Sequence, residues 1–218
     1  MKKIKFQTVF ADIDIPKPIP ASKMVPNWYR TMDGVQELIL SVKKCVPFLD
    51  AFTSGYVITL PVDVTWDKEQ QEFKVPHTNL SVVSKHHDSQ INGLEVPPGF
   101  SATPHKWTNQ WHIKTPKGYS CLFIHPLNRP ELPFYSFTGV VDTDKHPLVV
   151  NLPFLLREDF EGVIPAGTPL IQVIPFKRED WVSKVDDSHS YSYPKIYEVE
   201  VPPFAWYKRK WWSRKRYS

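Results

Sequence analysis

Two closely spaced aspartates are the first residues in the sequence that could do chemistry. Asp142 and Asp144 stand in the segment GVVDTD. An aspartate held beside a water molecule can act as a general base, and paired carboxylates suit Mg²⁺. Aspartates are also frequent in tight turns, where their side chains accept backbone hydrogen bonds. The pair therefore predicts either a structural turn or a catalytic site. No cofactor is expected, and Mg²⁺ is the one that a catalytic pair could hold.

A set of histidines is the second candidate for chemistry. His86 and Asp88 form an H-x-D pair, and His146 and Arg157 follow further along the chain. This order is similar to the 2-His-1-carboxylate triad of Fe(II)/2-oxoglutarate oxygenases, where an arginine holds the co-substrate carboxylate. The resemblance implies metal ligands at His86, Asp88 and His146. The alternative is that no metal is bound, because the segment KHHDSQING has the composition of a loop.

Three further histidines lie near aromatic strands. Their spacing matches no zinc motif, so we expect them to be hydrogen-bonded or exposed side chains. They are His105, His112 and His125.

The last residues, YKRKWWSRKRYS, concentrate positive charge and aromatic rings. They carry a charge of +6 while the whole chain carries +4, so the rest of the chain sums to −2. Cations interleaved with aromatics suit phosphate contacts and base stacking, or an acidic groove on a protein partner. A solvated tail would leave two tryptophans exposed, so we expect ordered packing. The predicted binding residues are Lys208, Arg209, Lys210, Trp211, Trp212, Arg214, Lys215 and Arg216.

The elements that must position these residues are mainly strands. Short segments of alternating apolar and polar residues are separated by turns at roughly 8–12-residue spacing, which is typical of a β-sandwich or a β-barrel. They extend to a late strand IYEVEV at 196–201. We divide the chain into an extended N-terminal arm (1–30), a β-rich domain (31–205) and a basic aromatic C-terminal tail (206–218).

One helix is predicted near 33–45. Asp33 is a suitable N-cap residue, and Pro47 is expected to end the helix. Its apolar face recurs at helical spacing and consists of Val35, Leu38, Ile39 and Val42.

Several function classes are excluded by what the sequence lacks. No apolar segment approaches the ~20 residues that span a bilayer, so no membrane partner is expected. The N-terminal lysines precede no apolar segment typical of a signal peptide. The sequence contains no G-x-S-x-G, Walker or G-x-G-x-x-G motif.

The stretch from Phe137 to Phe176 resembles the late strands of the dUTPase and dCTP-deaminase barrel. The resemblance implies a dUTPase-like β-barrel and a catalytic role for Asp142. Lys145, His146 and Pro147 stand where that family has its Tyr and Arg-Gly, and the family's glycine-rich arm is replaced by the basic tail. The matching residues are Gly139, Val140, Val141, Asp142, Gly162, Gly167 and Gln172.

Over its whole length the chain resembles a family of tailed-bacteriophage and bacterial proteins whose function is not assigned. The shared segments include PNWY, KKCVPFLDAFTSGY, TPKGYSCLF and GTPLIQVIPF. The resemblance implies a phage or phage-like origin, and hence the host cytoplasm or the virion as location. Its expected partners are a second copy of the chain or other phage or host proteins.

Three functional hypotheses follow. The first is a non-catalytic, homo-oligomeric phage protein that acts by assembly or interaction through its terminal segments, with nucleic acid as one partner of the tail. The alternative is a nucleotide-binding or nucleotide-hydrolysing dUTPase-like protein. A remote alternative is an Fe(II)/2-oxoglutarate oxygenase. The incomplete catalytic sets favour the first hypothesis over an enzyme.

Overall fold

The computed structural model describes residues 2–8, 10, 14–36, 39–76, 78–186 and 207–218. Three sequence predictions lie outside these residues. They are the place of Leu38 on the predicted helical face, the strand at 196–201, and the junction between the β-rich domain and the tail at 205–206.

The described chain is mainly β, as the sequence predicts. The strands are β1 (Lys5–Thr8), β2 (Ile19–Pro20), β3 (Val35–Gln36), β4 (Ile39–Leu40), β5 (Tyr56–Thr59), β6 (Val64–Asp67), β7 (Glu72–Lys74), β8 (Val83–Lys85), β9 (Phe100–Trp107), β10 (Trp111–Lys114), β11 (Tyr119–Ile124), β12 (Phe134–Ser136), β13 (Gly139–Val141), β14 (Leu152–Arg157), β15 (Gly162–Ile164) and β16 (Pro169–Lys177). The α-helices are α1 (Asn27–Thr31) and α2 (Val46–Thr53), and Tyr207–Trp211 forms one π-helical turn.

The strands form antiparallel sheets in a sandwich-like arrangement. A five-stranded sheet has the order β13-β11-β16-β5-β2, and a four-stranded sheet has the order β12-β14-β9-β8. Strands β15, β6 and β7 form a third sheet, and β1–β10 and β3–β4 form two-stranded pairs. Within the described ranges these sheets do not close into a barrel, so the arrangement is sandwich-like, and the resemblance to the dUTPase fold stays a prediction.

The core lies between these sheets and is rich in aromatic rings. In β6 and β10 the buried residues alternate with partly exposed ones, as period-two sequences predict. Trp107 of β9 and Phe154 of β14 are fully buried and stacked, with ring centroids 4.1 Å apart. Ile171 and Val173 of β16 face the same core and are also fully buried. The two rings stack within the four-stranded sheet, and side chains of both large sheets contribute to one hydrophobic core.

The helix predicted near 33–45 is wrong. Residues 35–36 and 39–40 form the β3–β4 pair, and the helix begins only at Val46, with Pro47 in its first turn. Proline is favoured there because the first helical N–H groups have no partner within the helix, so the residue expected to end a helix begins one. Val35 and Ile39 of the expected buried face are 51% and 72% exposed.

The N-terminal segment contributes to the body through specific contacts. Strand β1 pairs with β10, with Phe6 opposite Ile113. Ile15 is buried in the core, and Ala21 donates its N–H to the Gly55 carbonyl. No helix among the described residues has the length and apolarity needed to cross a membrane.

Replacing Phe154 by Ala should lower the free energy of unfolding by about 3–5 kcal/mol, because a stacked ring would leave a cavity that the two sheets cannot close. The measurement is denaturant unfolding followed by circular dichroism. Val163→Ala is the control, since this side chain is 53% exposed and its loss should cost less than about 0.5 kcal/mol. Equal effects for the two variants would show that the core is placed wrongly.

Candidate functional site

The two aspartates of the GVVDTD segment are bound to one arginine. Arg178, just after β16, donates to Asp144 Oδ1 from Nη1 at 2.9 Å and to Oδ2 from Nη2 at 2.5 Å. The Gly118 N–H donates to the same carboxylate at 2.8 Å, and the Asp144 side chain is only 3% exposed. Asp144 therefore joins the Pro116–Gly118 turn to the end of β16.

Asp142 takes part in the same cluster from its edge. The Ser120 hydroxyl donates to Asp142 Oδ1 at 2.6 Å, and Arg178 Nη1 lies 3.1 Å from that oxygen. The Ser120 hydrogen bond, with the nearby Arg178 charge, lowers the pKa of Asp142 below its usual value. The Arg178 guanidinium lowers the pKa of Asp144 much further.

A lowered pKa makes both carboxylates weak bases, and hydrogen bonds already occupy the oxygens of Asp144. Between them, Thr143 is buried and shares a 2.7 Å hydrogen bond with Thr115. The pair is brought together as the sequence predicts, and its geometry fits the structural alternative. We name this cluster (Ser120, Asp142, Asp144, Arg178) the acidic knot.

The three metal candidates lie in separate local contacts. The His86 N–H bonds to the Pro104 carbonyl, and Asp88 forms an exposed ion pair with Lys85 at 3.6 Å. His146 Nδ1 lies 2.9 Å from the Leu148 carbonyl. Across the residues described, no group of three or more His, Cys, Asp or Glu side chains is arranged to hold a metal ion.

The other histidines differ in their surroundings. His112 Nε2 lies 3.2 Å from the His146 carbonyl. His105 is 4% exposed, and burial lowers its pKa to about 4, so the ring is neutral at pH 7. Its Nδ1 has no hydrogen-bond partner among the described residues, and the ring lines a small cavity of about 140 Å³.

A larger cleft of about 540 Å³ lies among aromatic rings. We name it the aromatic cleft. Its rings come from separate parts of the chain, since α1 and α2 supply one each, β9 supplies one, and the region from β11 to β12 supplies the others. They are Trp28, Phe48, Phe100, His125, Phe134 and Tyr135.

Arg157 stands where three cavities meet. It lines the aromatic cleft, the small cavity beside His105, and a third cavity of about 430 Å³. The pairing of β14 with β9 shifts register between Leu155 and Arg157, and such bulges redirect side chains at the ends of strands. The guanidinium is fixed by two hydrogen bonds to Asp159, at 2.9 and 2.8 Å.

The basic C-terminal segment docks on α2. Trp212 donates its indole N–H to Asp50 Oδ2 at 2.8 Å, and Lys215 Nζ donates to the same oxygen at 2.6 Å. The ring of Tyr217 meets that of Tyr56 edge-on, with centroids 5.9 Å apart. Residues 207–218 are therefore docked on the body, as expected for Trp212, whereas Trp211 is 53% exposed.

This docking leaves one basic face of the segment in solvent. Lys215 is committed to Asp50, and Trp211 is 53% exposed. Four cations are exposed and take part in no ion pair within the described residues, namely Lys208, Arg209, Arg214 and Arg216.

Gln172 connects both regions to the sheet. This residue of β16 is 2% exposed. Its Nε2 donates to the Ala51 and Ser54 carbonyls at 2.9 and 2.6 Å, and its Oε1 accepts the Leu127 N–H at 3.0 Å. The amide thus holds both the end of α2 and the loop that leads to the aromatic cleft.

Sequence reasoning missed the aromatic cleft and the partners of the acidic knot. Arg178 follows the last predicted strand of the Phe137–Phe176 stretch, but nothing in the spacing pairs it with Asp144. Asp50 lies far from Trp212 in sequence, so their contact leaves no local pattern. Two cleft residues were singled out from the sequence, Arg157 through the oxygenase resemblance and His125 as a histidine near an aromatic strand.

Comparison with known proteins gives no matching family model, no similar curated protein and no similar solved structure. The resemblances to the phage family and to dUTPases stay predictions.

Replacing Asp144 by Asn should lower the melting temperature by several degrees at pH 7, because a shielded arginine would lose its counter-charge. The folded-state pKa of Asp144 is depressed, so its stabilisation is present above the unfolded value near 3.8 and is lost as pH falls below it. The difference in melting temperature between wild type and variant should therefore shrink from pH 7 to pH 3. A difference independent of pH would contradict the ion pair.

Replacing Asp50 by Ala should undock the C-terminal segment, because Trp212 and Lys215 would both lose their acceptor. Limited trypsin digestion should then cleave within residues 208–216 several-fold faster than in wild type. Asp14→Ala, at an exposed aspartate, is the control and should leave the cleavage rate unchanged. Equal rates in all three proteins would show that the segment is not docked through Asp50.

Proposed function

We propose that the protein is a non-catalytic binding protein whose docked C-terminal segment engages single-stranded nucleic acid. The observation that carries this proposal is that some side chains of residues 207–218 contact the body while others are exposed to solvent. Trp212, Lys215 and Tyr217 face α2 and β5, while four cations face solvent. Such a fixed array costs less entropy on binding than a solvated tail, because the segment is already ordered.

The chemistry of the exposed face favours a polynucleotide over an acidic protein surface. Lys208 and Arg209 lie on the same π-helical turn as Trp211, whose indole is half exposed. Cations beside an accessible ring provide phosphate contacts and a stacking surface for a base. The body carries a net charge of −2, so attraction of a polyanion is confined to this segment.

The acidic knot supports a binding role over a hydrolytic one. A hydrolase of the dUTPase type requires a carboxylate free to accept a proton from water. In this protein Asp144 is bound by Arg178 and Gly118, and Asp142 by Ser120 and Arg178. The phage origin and the homo-oligomeric state remain predictions on which this proposal does not depend.

The proposal is tested by fluorescence anisotropy with a labelled single-stranded 20-mer. Plotting log K against log salt should give a slope of about −3, because each phosphate contact on a single strand contributes roughly −0.7. A variant with the four exposed cations changed to Ser should lose that slope and most of the affinity. Trp211→Ala should weaken binding by about 1–3 kcal/mol through lost stacking.

A charge-matched control separates a specific site from general attraction. It carries Ser at four exposed lysines of the body and should bind as wild type does. These lysines are Lys17, Lys23, Lys68 and Lys117. The proposal fails if wild type does not bind the 20-mer at low salt, or if the control loses as much affinity as the tail variant.

A further inference from the structure

The aromatic cleft has the size and the walls of a small-molecule pocket, and its residues are distant in sequence from the basic segment. Its volume of about 540 Å³ lies within the roughly 300–1,000 Å³ of small-molecule pockets. Phe100 and Tyr135 meet edge-on with centroids 6.1 Å apart, and His125 lies 5.4 Å from Tyr135. A flat ring could be held among such walls by stacking and edge contacts.

Two arginines of the cleft lining have guanidinium N–H groups left to donate. Arg129 donates from Nε to Glu131 and from Nη1 to the Met24 carbonyl. Its Nη2 has no partner among the described residues. Arg157 donates from Nε and Nη2 to Asp159, so its Nη1 also has no partner among the described residues.

The charge of the cleft lining is positive only. Arg129 and Arg157 line it, whereas their partners Glu131 and Asp159 line the neighbouring 430 Å³ cavity. Each carboxylate thus fixes its guanidinium while facing another cavity. Unpaired guanidinium N–H groups match the oxygens of a carboxylate or phosphate.

His125 contributes a ring without adding a charge. The Ser136 N–H donates to His125 Nδ1 at 3.2 Å, which assigns the proton to Nε2. Burial lowers its pKa, against the raising effects of the Arg129 backbone and the Glu131 charge, so the imidazole is neutral at pH 7.

From these contacts we infer that the aromatic cleft binds a planar aromatic anion, with its ring among Phe48, Phe100 and Tyr135 and its acidic group at Arg129 and Arg157. Trp28 contributes a further aromatic side chain to the wall. Free aromatic carboxylates and nucleoside monophosphates both have this chemistry. A cationic ring is rejected, because no carboxylate lines the cleft.

The test is isothermal titration of the full chain with three indoles that differ in charge. Indole-3-acetate should bind at least about tenfold more tightly than indole-3-acetamide, since hydrogen bonds to a charged group are the stronger ones. Tryptamine should not bind. Titration with AMP and UMP distinguishes the two sources of the anion, and binding of either class supports the site.

Variants locate the binding in the cleft. Arg157→Gln should weaken indole-3-acetate binding at least about tenfold, and Arg129→Gln should weaken it to a similar extent. Lys117→Gln removes an equal charge from an exposed turn and should change nothing. Circular dichroism confirms that each variant is folded.

The inference is overturned by any of three results. The first is equal affinity for indole-3-acetate and indole-3-acetamide. The second is an affinity for indole-3-acetate that is unchanged in both cleft variants. The third is no binding of indole-3-acetate, AMP or UMP up to about 10 mM, where even weak ligands are detected. None of these results depends on whether residues 207–218 bind nucleic acid.

Discussion

The buried amide of Gln172 is the contact on which both candidate surfaces depend. A primary amide inside a core costs free energy unless its groups are paired, and here three hydrogen bonds to backbone pair them. Two of these fix the end of α2 against the five-stranded sheet. The third fixes Leu127, immediately before the Asn128–Arg129 side of the aromatic cleft. One side chain of β16 therefore sets the position of a helix and a loop that have no strand pairing of their own.

Helix α2, held in this position, contributes side chains to both candidate surfaces. Phe48 and Asp50 are two residues apart, so their side chains extend from different faces of the helix. Phe48 lines the aromatic cleft, and Asp50 holds Trp212 and Lys215 of the basic segment. The helix can lie this close to the sheet because Gly55 follows it, with φ of 73° and the space for a Cβ filled by the Val173 carbonyl. A side chain at Gly55 would push α2 away from β16.

The acidic knot shows how the same residue types serve structure instead of chemistry. Asp142 and Asp144 were the most suggestive pair in the sequence, and their spacing correctly indicated a turn where both carboxylates meet. Arg178, which binds them, comes from the end of another strand. The fold class, most short strands and the packing of Trp212 also followed from local patterns, whereas Trp211 is exposed. The helix position did not, because Pro47 suits the first turn of a helix as well as its end, and the exposed β3–β4 residues happen to have helical spacing. The aromatic cleft could not be predicted, since its walls come from α1, α2, β9 and β12, whose meeting depends on long-range packing.

The central claim is that residues 207–218 form part of the folded surface, held by a helix that Gln172 fixes. The most direct measurement is a nuclear Overhauser spectrum of the isotope-labelled protein. The account predicts cross-peaks between the ring protons of Tyr217 and Tyr56, whose centroids lie 5.9 Å apart, and between the Trp212 indole and α2. Random-coil shifts for residues 207–218, with no cross-peak to residues 46–56, would contradict it.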